Sequence, residues 1–364
     1  MSETLEQKMA GKEVEISHGE LAKYRFAPGD VYWVKMNGKL VRLLTVGDYI
    51  DREFIQKFTS GNMSLMLDRI INEDYLNDGI SILEGMRKGR SIKERASSRT
   101  EFIDWLNDVF WSGEKEGSLI DLIILGEKVF FAFEDEFAEK LVSGNTEFFT
   151  RSALMGILNV IFAINMGYMD DKLLCDIYNL PFLVDYFMHV DGYAFDLIRA
   201  LEMERKSSGN GREWLEFKGD KMAEHNMFFE HPDKSARLVL EDCKKYFHSE
   251  EMVSLIEKHH ERMDGSGFPE GIYESELSDL ETLFISVNQA ISFKLEFVFG
   301  DGKKYLKNII AAMDEDENEI FSARIRSVFE NIFECSKQQE NENPEESEAI
   351  EYDEDLHELL KESA

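Results

Sequence analysis

One segment near the end of the folded part of the chain carries side chains suited to metal or phosphate chemistry. Its two adjacent imidazoles end an apolar helical stretch and diverge by about 100°, so they can serve two metal ions, or a metal and a substrate. The Asp-Gly-Ser-Gly run predicts a tight turn, and the alternative is a helix cap with two surface histidines. The segment reads His259-His260-Glu261-Arg262-Met263-Asp264-Gly265-Ser266-Gly267-Phe268-Pro269.

This segment resembles the signature of the HD-GYP family, bacterial phosphodiesterases that hydrolyse cyclic di-GMP, whose pattern is roughly HHExxDGSGYP. The match is complete apart from Phe268, which stands where the family has tyrosine. The run Glu230-His231-Pro232-Asp233 lies 28 residues before His259 and resembles the family's HP helix. The resemblance covers residues 145–335.

The family holds two or three metal ions with His, Asp and Glu side chains, and these ions activate a hydroxide and neutralise the phosphodiester. The resemblance implies that Asp185, His231, His259 and His260 are the metal ligands of this chain, with Asp185 as a vestigial catalytic residue. Imidazole and carboxylate ligands suit iron or manganese.

Several other site positions of the family are filled by neutral or positively charged residues, which should lower the affinity for a metal. The resemblance puts Val184 and Arg151 where histidines belong, and Met188 where a lysine would contact phosphate. It puts Asn288, or Gln289 with a one-residue shift, where an aspartate would close the site. A guanidinium repels a metal cation, so we expect a broken dinuclear mechanism and one weakly held metal at most.

A second set of residues is expected to bind the ligand. Arg151 could supply positive charge by pairing with Asp185 or Glu147, and Phe268 keeps an aromatic surface for stacking on guanine or docking a partner. His189 with Asp191 is interpreted as a surface pair, and His225 as a solvated helix residue. The expected ligand-binding residues are Arg151, Arg262, Asp264, Gly265, Ser266, Gly267 and Phe268.

The N-terminal part of the chain predicts a small module that contains a β-hairpin. Two β-rich runs, 31–36 and 39–44, flank Asn37-Gly38, and an Asn-Gly pair is a strong hairpin signal. A short helix is expected at 51–58 and a third strand at 63–67.

The predicted fold class is α+β, a mainly α-helical HD-type domain preceded by this small hairpin-containing α/β domain. The N-terminus and the acidic C-terminal segment are too polar to form a core. The predicted divisions are a flexible N-terminus at 1–20, the hairpin domain at 21–69, a helical connector at 70–144, the HD-GYP-like domain at 145–335 and a disordered acidic tail at 336–364.

Composition excludes several classes of function. The chain has 364 residues and a net charge of −32, which disfavours nucleic-acid polymers and anionic membranes as partners. Its three cysteines are widely spaced, which argues against a disulfide framework or a zinc ribbon. No secretory signal is visible, and the apolar stretch 154–169 falls short of the roughly 20 residues that a membrane span needs. We therefore expect a cytoplasmic protein without a membrane span.

The sequence thus predicts a catalytically impaired HD-GYP-like protein that regulates or scaffolds cyclic di-GMP signalling. The alternatives are an active metal-dependent cyclic di-GMP phosphodiesterase and a protein-interaction module that no longer binds nucleotide. No cofactor is expected at full occupancy, and any metal would be divalent iron or manganese. The expected partners are cyclic di-GMP or another signalling protein.

Overall fold

The computed structural model of the protein is an α+β structure in which a small antiparallel sheet precedes a larger body of helices, as the sequence predicts. The predicted tail at 336–364 lies outside the described residues. The structure describes residues 13–51, 64–111, 117–142, 146–192 and 222–291, and the positions 53, 56–57, 197, 199–201, 305, 322 and 324–328.

Four strands form the sheet in the order β1-β4-β2-β3, and each neighbouring pair is antiparallel. The predicted hairpin is confirmed as β2 and β3, with the Lys35 N–H donating to the Lys39 carbonyl across the turn (3.0 Å). The predicted third strand forms two residues later than expected, as β4. The strands are β1 (Glu13–Ile16), β2 (Gly29–Val34), β3 (Leu40–Leu44) and β4 (Leu65–Arg69).

Strand β1 lies in the segment that the sequence assigns to a flexible N-terminus. It pairs with β4 from Glu13 opposite Asp68 to Ile16 opposite Leu65, and Ile16 is buried. The partner strand is about fifty residues away, so nothing in the local pattern of this short segment reveals the pairing. The sheet domain therefore starts before the predicted boundary at residue 21.

Eleven α-helices, which range from a single turn to 20 residues, account for most of the remaining described chain, together with short 3₁₀ and π segments. The helices are α1 (His18–Leu21), α2 (Glu73–Lys88), α3 (Ile92–Leu106), α4 (Leu119–Phe130), α5 (Asp135–Val142), α6 (Thr146–Asn165), α7 (Asp171–Asn179), α8 (Tyr186–Val190), α9 (Met222–Leu238), α10 (Ser254–Glu257) and α11 (Asp279–Ala290).

One hydrophobic core runs through the helices on both sides of the predicted boundary at residue 145. Helix α4 is buried along most of its length and packs against α6 and α7, and its Leu122 and Ile123 belong to the same cluster as Leu154 and Ile157 of α6. The segment predicted as a connector is thus part of the same folded body as the segment that carries the histidines.

Helix α6 alone among the described helices is long and apolar enough to cross a membrane, with a mean hydropathy of 1.4 over its 18-residue window. Residues 154–165 of the apolar stretch 154–169 therefore belong to a helix that starts eight residues earlier, and residues 166–169 follow its end. Within the structure, 89% of the window is buried. Its apolar surface packs on α4, α7 and α11.

The sheet domain docks on the start of α6. The ring of Phe149 stacks on Phe26 (centroids 5.7 Å apart) and meets Tyr49 edge-on (5.1 Å). The hydroxyl of the next residue, Thr150, donates to the Gly47 carbonyl (2.8 Å). The same helical turn continues into Arg151, which faces the site described below.

The two cysteines of the described chain are buried thiols, and we expect both to resist alkylation. Burial raises the pKa of Cys175 and of Cys243 to about 12. Only about one such thiol in ten thousand is ionised at pH 8, and the thiolate is the reactive form. Mass spectrometry after iodoacetamide treatment checks this, with urea-unfolded protein as the control. Rapid labelling of either cysteine in folded protein would contradict it.

Candidate metal centre

The four side chains predicted as metal ligands come together from three parts of the chain. Asp185 immediately precedes α8, His231 lies on α9, and His259 and His260 follow α10. Helix α9 packs against both α8 and α10, and this packing brings the three segments to one place. All four residues are buried, and one ligand atom of each lies within 4.8 Å of the others.

His231 is the centre of this cluster and is fully buried. Its Nε2 atom lies 3.0 Å from the Asp185 Oδ1 atom and 3.2 Å from the Nε2 atoms of both His259 and His260. The Asp185 Oδ1 atom is also 3.9 Å from the His259 Nε2 atom. His231 is therefore the residue through which the carboxylate and both adjacent histidines are in closest contact.

In His231 and His259, the Nδ1 atom, which faces away from the cluster, holds the orientation of the ring through a contact with a backbone carbonyl. The Nδ1 atom of His231 contacts the carbonyl oxygen of Phe228, and the Nδ1 atom of His259 lies 2.6 Å from the carbonyl oxygen of Ile256. A carbonyl only accepts, so each Nδ1 carries the proton and donates it. In the neutral ring the Nε2 atom then keeps its lone pair, which points into the cluster.

The donor set fits a single divalent metal ion. With Nδ1 protonated in His231 and His259, their Nε2 lone pairs face the Asp185 Oδ1 atom, which has no hydrogen-bond donor among the described residues. Acceptors at such short distances repel one another unless a cation lies between them. Three imidazoles and one carboxylate make a set that iron or manganese accepts.

The charges around Asp185 favour its ionised form. Burial raises the pKa of this carboxyl, but the contact with His231 and the nearby guanidinium of Arg151 act in the opposite direction, and the pKa lies below its ordinary value. The carboxylate is therefore ready to bind a cation at neutral pH.

Arg151 lies beside this cluster and is bound to the C-terminal end of α11. Its Nη2 atom donates to the carbonyls of Asn288 (2.9 Å) and Ile291 (3.3 Å) and to the Asn288 Oδ1 atom (3.2 Å). A cation at this end of a helix is favoured, because the last carbonyls have no intrahelical donor. The side chain is 3% exposed, and Glu147, the second predicted partner of Arg151, lies on the surface.

The two amides of α11 hold the histidine-bearing turn. Asn288 Nδ2 donates to the His259 carbonyl (2.9 Å), and Gln289 Nε2 donates to the Glu261 carbonyl (2.7 Å). Between them, the His260 carbonyl accepts from the Phe268 N–H (3.2 Å). Three consecutive carbonyls of this irregular turn are thus satisfied, and two of them require an NH₂ group that an aspartate or a glutamate would lack.

Glu261 has a structural role that its place in the motif did not reveal. Its carboxylate accepts the N–H groups of Glu270 (2.8 Å), Gly271 (3.1 Å) and Ile272 (3.0 Å), and the side chain is fully buried. Burial raises the pKa of Glu261 despite these three bonds, which act in the opposite direction. The partners lie in an irregular loop, so no sequence spacing identifies them.

The predicted turn after the histidines forms. Asp264 Oδ1 accepts from the Ser266 N–H (2.9 Å) and hydroxyl (2.7 Å), and Gly265 has a φ of +74°. Gly267 lies against the backbone of Glu261, where an added Cβ would come within 2.4 Å of the Glu261 Cα. These contacts account for the turn residues without a ligand, and nucleotide binding by Asp264, Gly265, Ser266 and Gly267 stays a prediction.

Phe268 is not the exposed aromatic surface that the sequence suggested. It is 1% exposed and its ring stacks on His260, with centroids 4.5 Å apart and planes 15° apart. The ring also contacts Phe228 of α9 (5.5 Å), which itself lies 5.1 Å from His260, so the three rings form one cluster. Arg262, another predicted ligand-binding residue, is 5% exposed.

The remaining candidates lie outside the cluster. Val184 and Met188, at positions where the family has a ligand and a phosphate contact, are buried apolar residues. His189 is partly exposed and Asp191 is exposed, and neither belongs to the group of ligand atoms. His225 is buried on α9 rather than solvated, which corrects its interpretation, and it too lies outside that group.

A comparison with known protein families finds a match in the histidine-bearing part of the chain. No curated protein matches the chain. A solved structure described as "Bd1817, a HDG"Y"P protein from Bdellovibrio bacteriovorus" is 18% identical, with a TM-score of 0.38, over 88% of this chain and 99% of that one. The family model described as "HD domain" matches residues 218–284. This segment, which carries His231, His259 and His260, is therefore similar to the HD domain family.

Proposed function

We propose that the protein is a catalytically impaired HD-GYP-like regulatory or scaffolding protein in cyclic di-GMP signalling. Its Asp185, His231, His259 and His260 would hold at most one divalent metal ion, iron or manganese, at low occupancy. A bound metal would supply a positive charge for a phosphate group and lower the pKa of a bound water.

The observation that carries the proposal is the pairing of Arg151 with Asn288 beside the cluster. Hydrolysis of a phosphodiester by paired metals needs ligands for a second ion a few ångströms from the first. At the two positions where the family would supply them, a guanidinium donates to the amide oxygen of Asn288, and the amide nitrogen donates to a backbone carbonyl. The guanidinium repels a cation, and the amide of Asn288 lacks the negative charge that an aspartate would bring to a metal.

The rest of the described chain also supports a limit of one bound metal ion. The Asp185 cluster is the one group of three or more His, Cys, Asp or Glu ligands found among the described residues. Val184, at the third position where the resemblance would place a metal ligand, is a buried apolar side chain. A site with one metal can bind a phosphate oxygen, but it lacks the second cation that would stabilise the leaving group.

The residues proposed to contact the nucleotide are those of the glycine-rich turn, Asp264 to Gly267. Arg151, Arg262 and Phe268, which are all buried, are included in the same proposal.

Metal content and turnover test the proposal together. We expect purified protein to carry no more than one equivalent of iron or manganese, and to release neither pGpG nor GMP from cyclic di-GMP. Plasma emission spectrometry measures the first and chromatography the second, after reconstitution with excess Fe²⁺ or Mn²⁺ under nitrogen.

Each contrary result supports a different function. Two equivalents of metal together with released pGpG would establish the active phosphodiesterase. Absence of calorimetric heat at high micromolar cyclic di-GMP would favour the protein-interaction module.

A further inference from the structure

His231 is followed in α9 by a proline, which is unusual inside a helix. Pro232 lies ten residues after the start of the helix and six before its end. In a regular helix the N–H of this residue would bond to the carbonyl of Phe228, four positions earlier. Proline has no N–H, so this carbonyl loses its normal backbone donor.

The Phe228 carbonyl is the same group that accepts from the Nδ1 atom of His231. Because the carbonyl is buried with α9, it needs a donor, and the imidazole supplies it from three residues away. The proton on Nδ1 leaves the Nε2 atom of His231 unprotonated in the neutral ring. That atom is the one that lies 3.0–3.2 Å from the other three ligand atoms.

His259 uses the same device at a helix end. Its Nδ1 atom lies 2.6 Å from the carbonyl of Ile256, again three residues earlier. Helix α10 ends at Glu257, so this carbonyl belongs to the last turn and has no intrahelical donor. The two histidines thus obtain one tautomer from two local causes, a proline and a helix end.

We propose that Pro232 is a positioning residue that sets the tautomer and orientation of His231. By leaving the Phe228 carbonyl without a backbone donor, it directs the His231 Nδ1 proton to that carbonyl and the Nε2 lone pair to the cluster. The inference rests on the proposed function only in taking the cluster as a metal site.

The test is a pair of substitutions that restore the backbone N–H, Pro232→Ala and Pro232→Gly. A proline in a helix interior is unfavourable, so alanine should raise the stability of the protein and glycine should raise it less. Both should weaken binding of Co²⁺, used as the probe, by about tenfold to a hundredfold, as loss of a partner that orients a ligand does. Affinity would then fall while stability rises.

A readout without metal accompanies the affinity measurement. In the metal-free wild type, ¹⁵N chemical shifts of the imidazoles should show His231 as the Nδ1–H tautomer. In both variants, the shifts should show a mixture of the Nδ1–H and Nε2–H tautomers of His231. His259 should not change, because its partner carbonyl is that of Ile256. Pro28→Ala, a buried proline of the sheet domain, is the control and should alter neither quantity.

Two results would overturn the inference. One is a folded Pro232→Ala protein with Co²⁺ affinity within twofold of the wild type. The other is a His231 tautomer that stays unchanged in both variants. If the wild type binds no Co²⁺, the metal-free tautomer decides alone. An active, two-metal wild type would end the proposed function but leave this inference standing.

Discussion

Replacing His231 with alanine should abolish metal binding. Its Nε2 atom contacts the ligand atoms of Asp185, His259 and His260 at 3.0–3.2 Å, so the substitution removes the one ligand that contacts all three others. Loss of a partner that merely orients a ligand costs 10–100-fold in affinity, and we expect loss of this ligand to cost more than about a hundredfold. Titration with Co²⁺, followed by visible absorption, measures the affinity.

The same substitution should remove the stabilisation that metal gives the folded protein. A ligand at a hundred times its dissociation constant stabilises the native state by about 2.7 kcal/mol, which is visible as a rise in melting temperature. In His231→Ala the melting temperature should not respond to Co²⁺.

A matched control for this prediction lies on the same helix. His225 is also buried on α9, six residues before His231, but it is not one of the clustered ligands. His225→Ala should lower the stability of the protein through lost packing, as His231→Ala does. It should keep the rise in melting temperature with Co²⁺. Equal metal binding in the wild type and in His231→Ala would mean that the metal site lies elsewhere.

The predictions from sequence succeeded where a short local pattern determines the structure. The hairpin was predictable because Asn37-Gly38 supplies the turn between two β-rich runs. Strand β1 was missed because its stability comes from pairing with β4, and its own residues give no comparable signal. The helical fold class was predictable for the same reason as the hairpin, since helical periodicity is a local property.

For the site, too, the residues within short motifs could be predicted from the sequence, and the contacts between distant segments could not. The resemblance identified Asp185, His231, His259 and His260, whose ligand atoms the structure brings together. It did not predict that Phe268 is buried, because this loop residue packs on Phe228, which lies forty residues earlier on α9. Nor could it place Arg151, whose partners are carbonyls 137 and 140 residues away. Contacts of this range follow from tertiary packing alone.

Glu261 shows that a residue within a sequence motif can have a structural role, because its side chain stabilises the conformation of a loop. Its carboxylate binds the three consecutive N–H groups of residues 270–272, which carry no side-chain information. Since the backbone of Glu261 also follows directly on His260, the carboxylate fixes the loop relative to the ligand histidines. A metal-binding role for it is not needed to explain its presence.

The substitution Glu261→Gln should therefore destabilise the protein by about 2 kcal/mol, the scale of one lost hydrogen bond to a buried charge. Glutamine has the same shape, but one of its two acceptors becomes an NH₂ donor that faces a backbone N–H. Urea unfolding measures the change. Glu94→Gln is the control, since Glu94 also accepts two backbone N–H groups (2.7 and 3.2 Å) but is exposed, so its loss should stay within about 0.5 kcal/mol. Equal losses in the two variants would show that the buried carboxylate holds the loop no more firmly than a surface cap holds a helix.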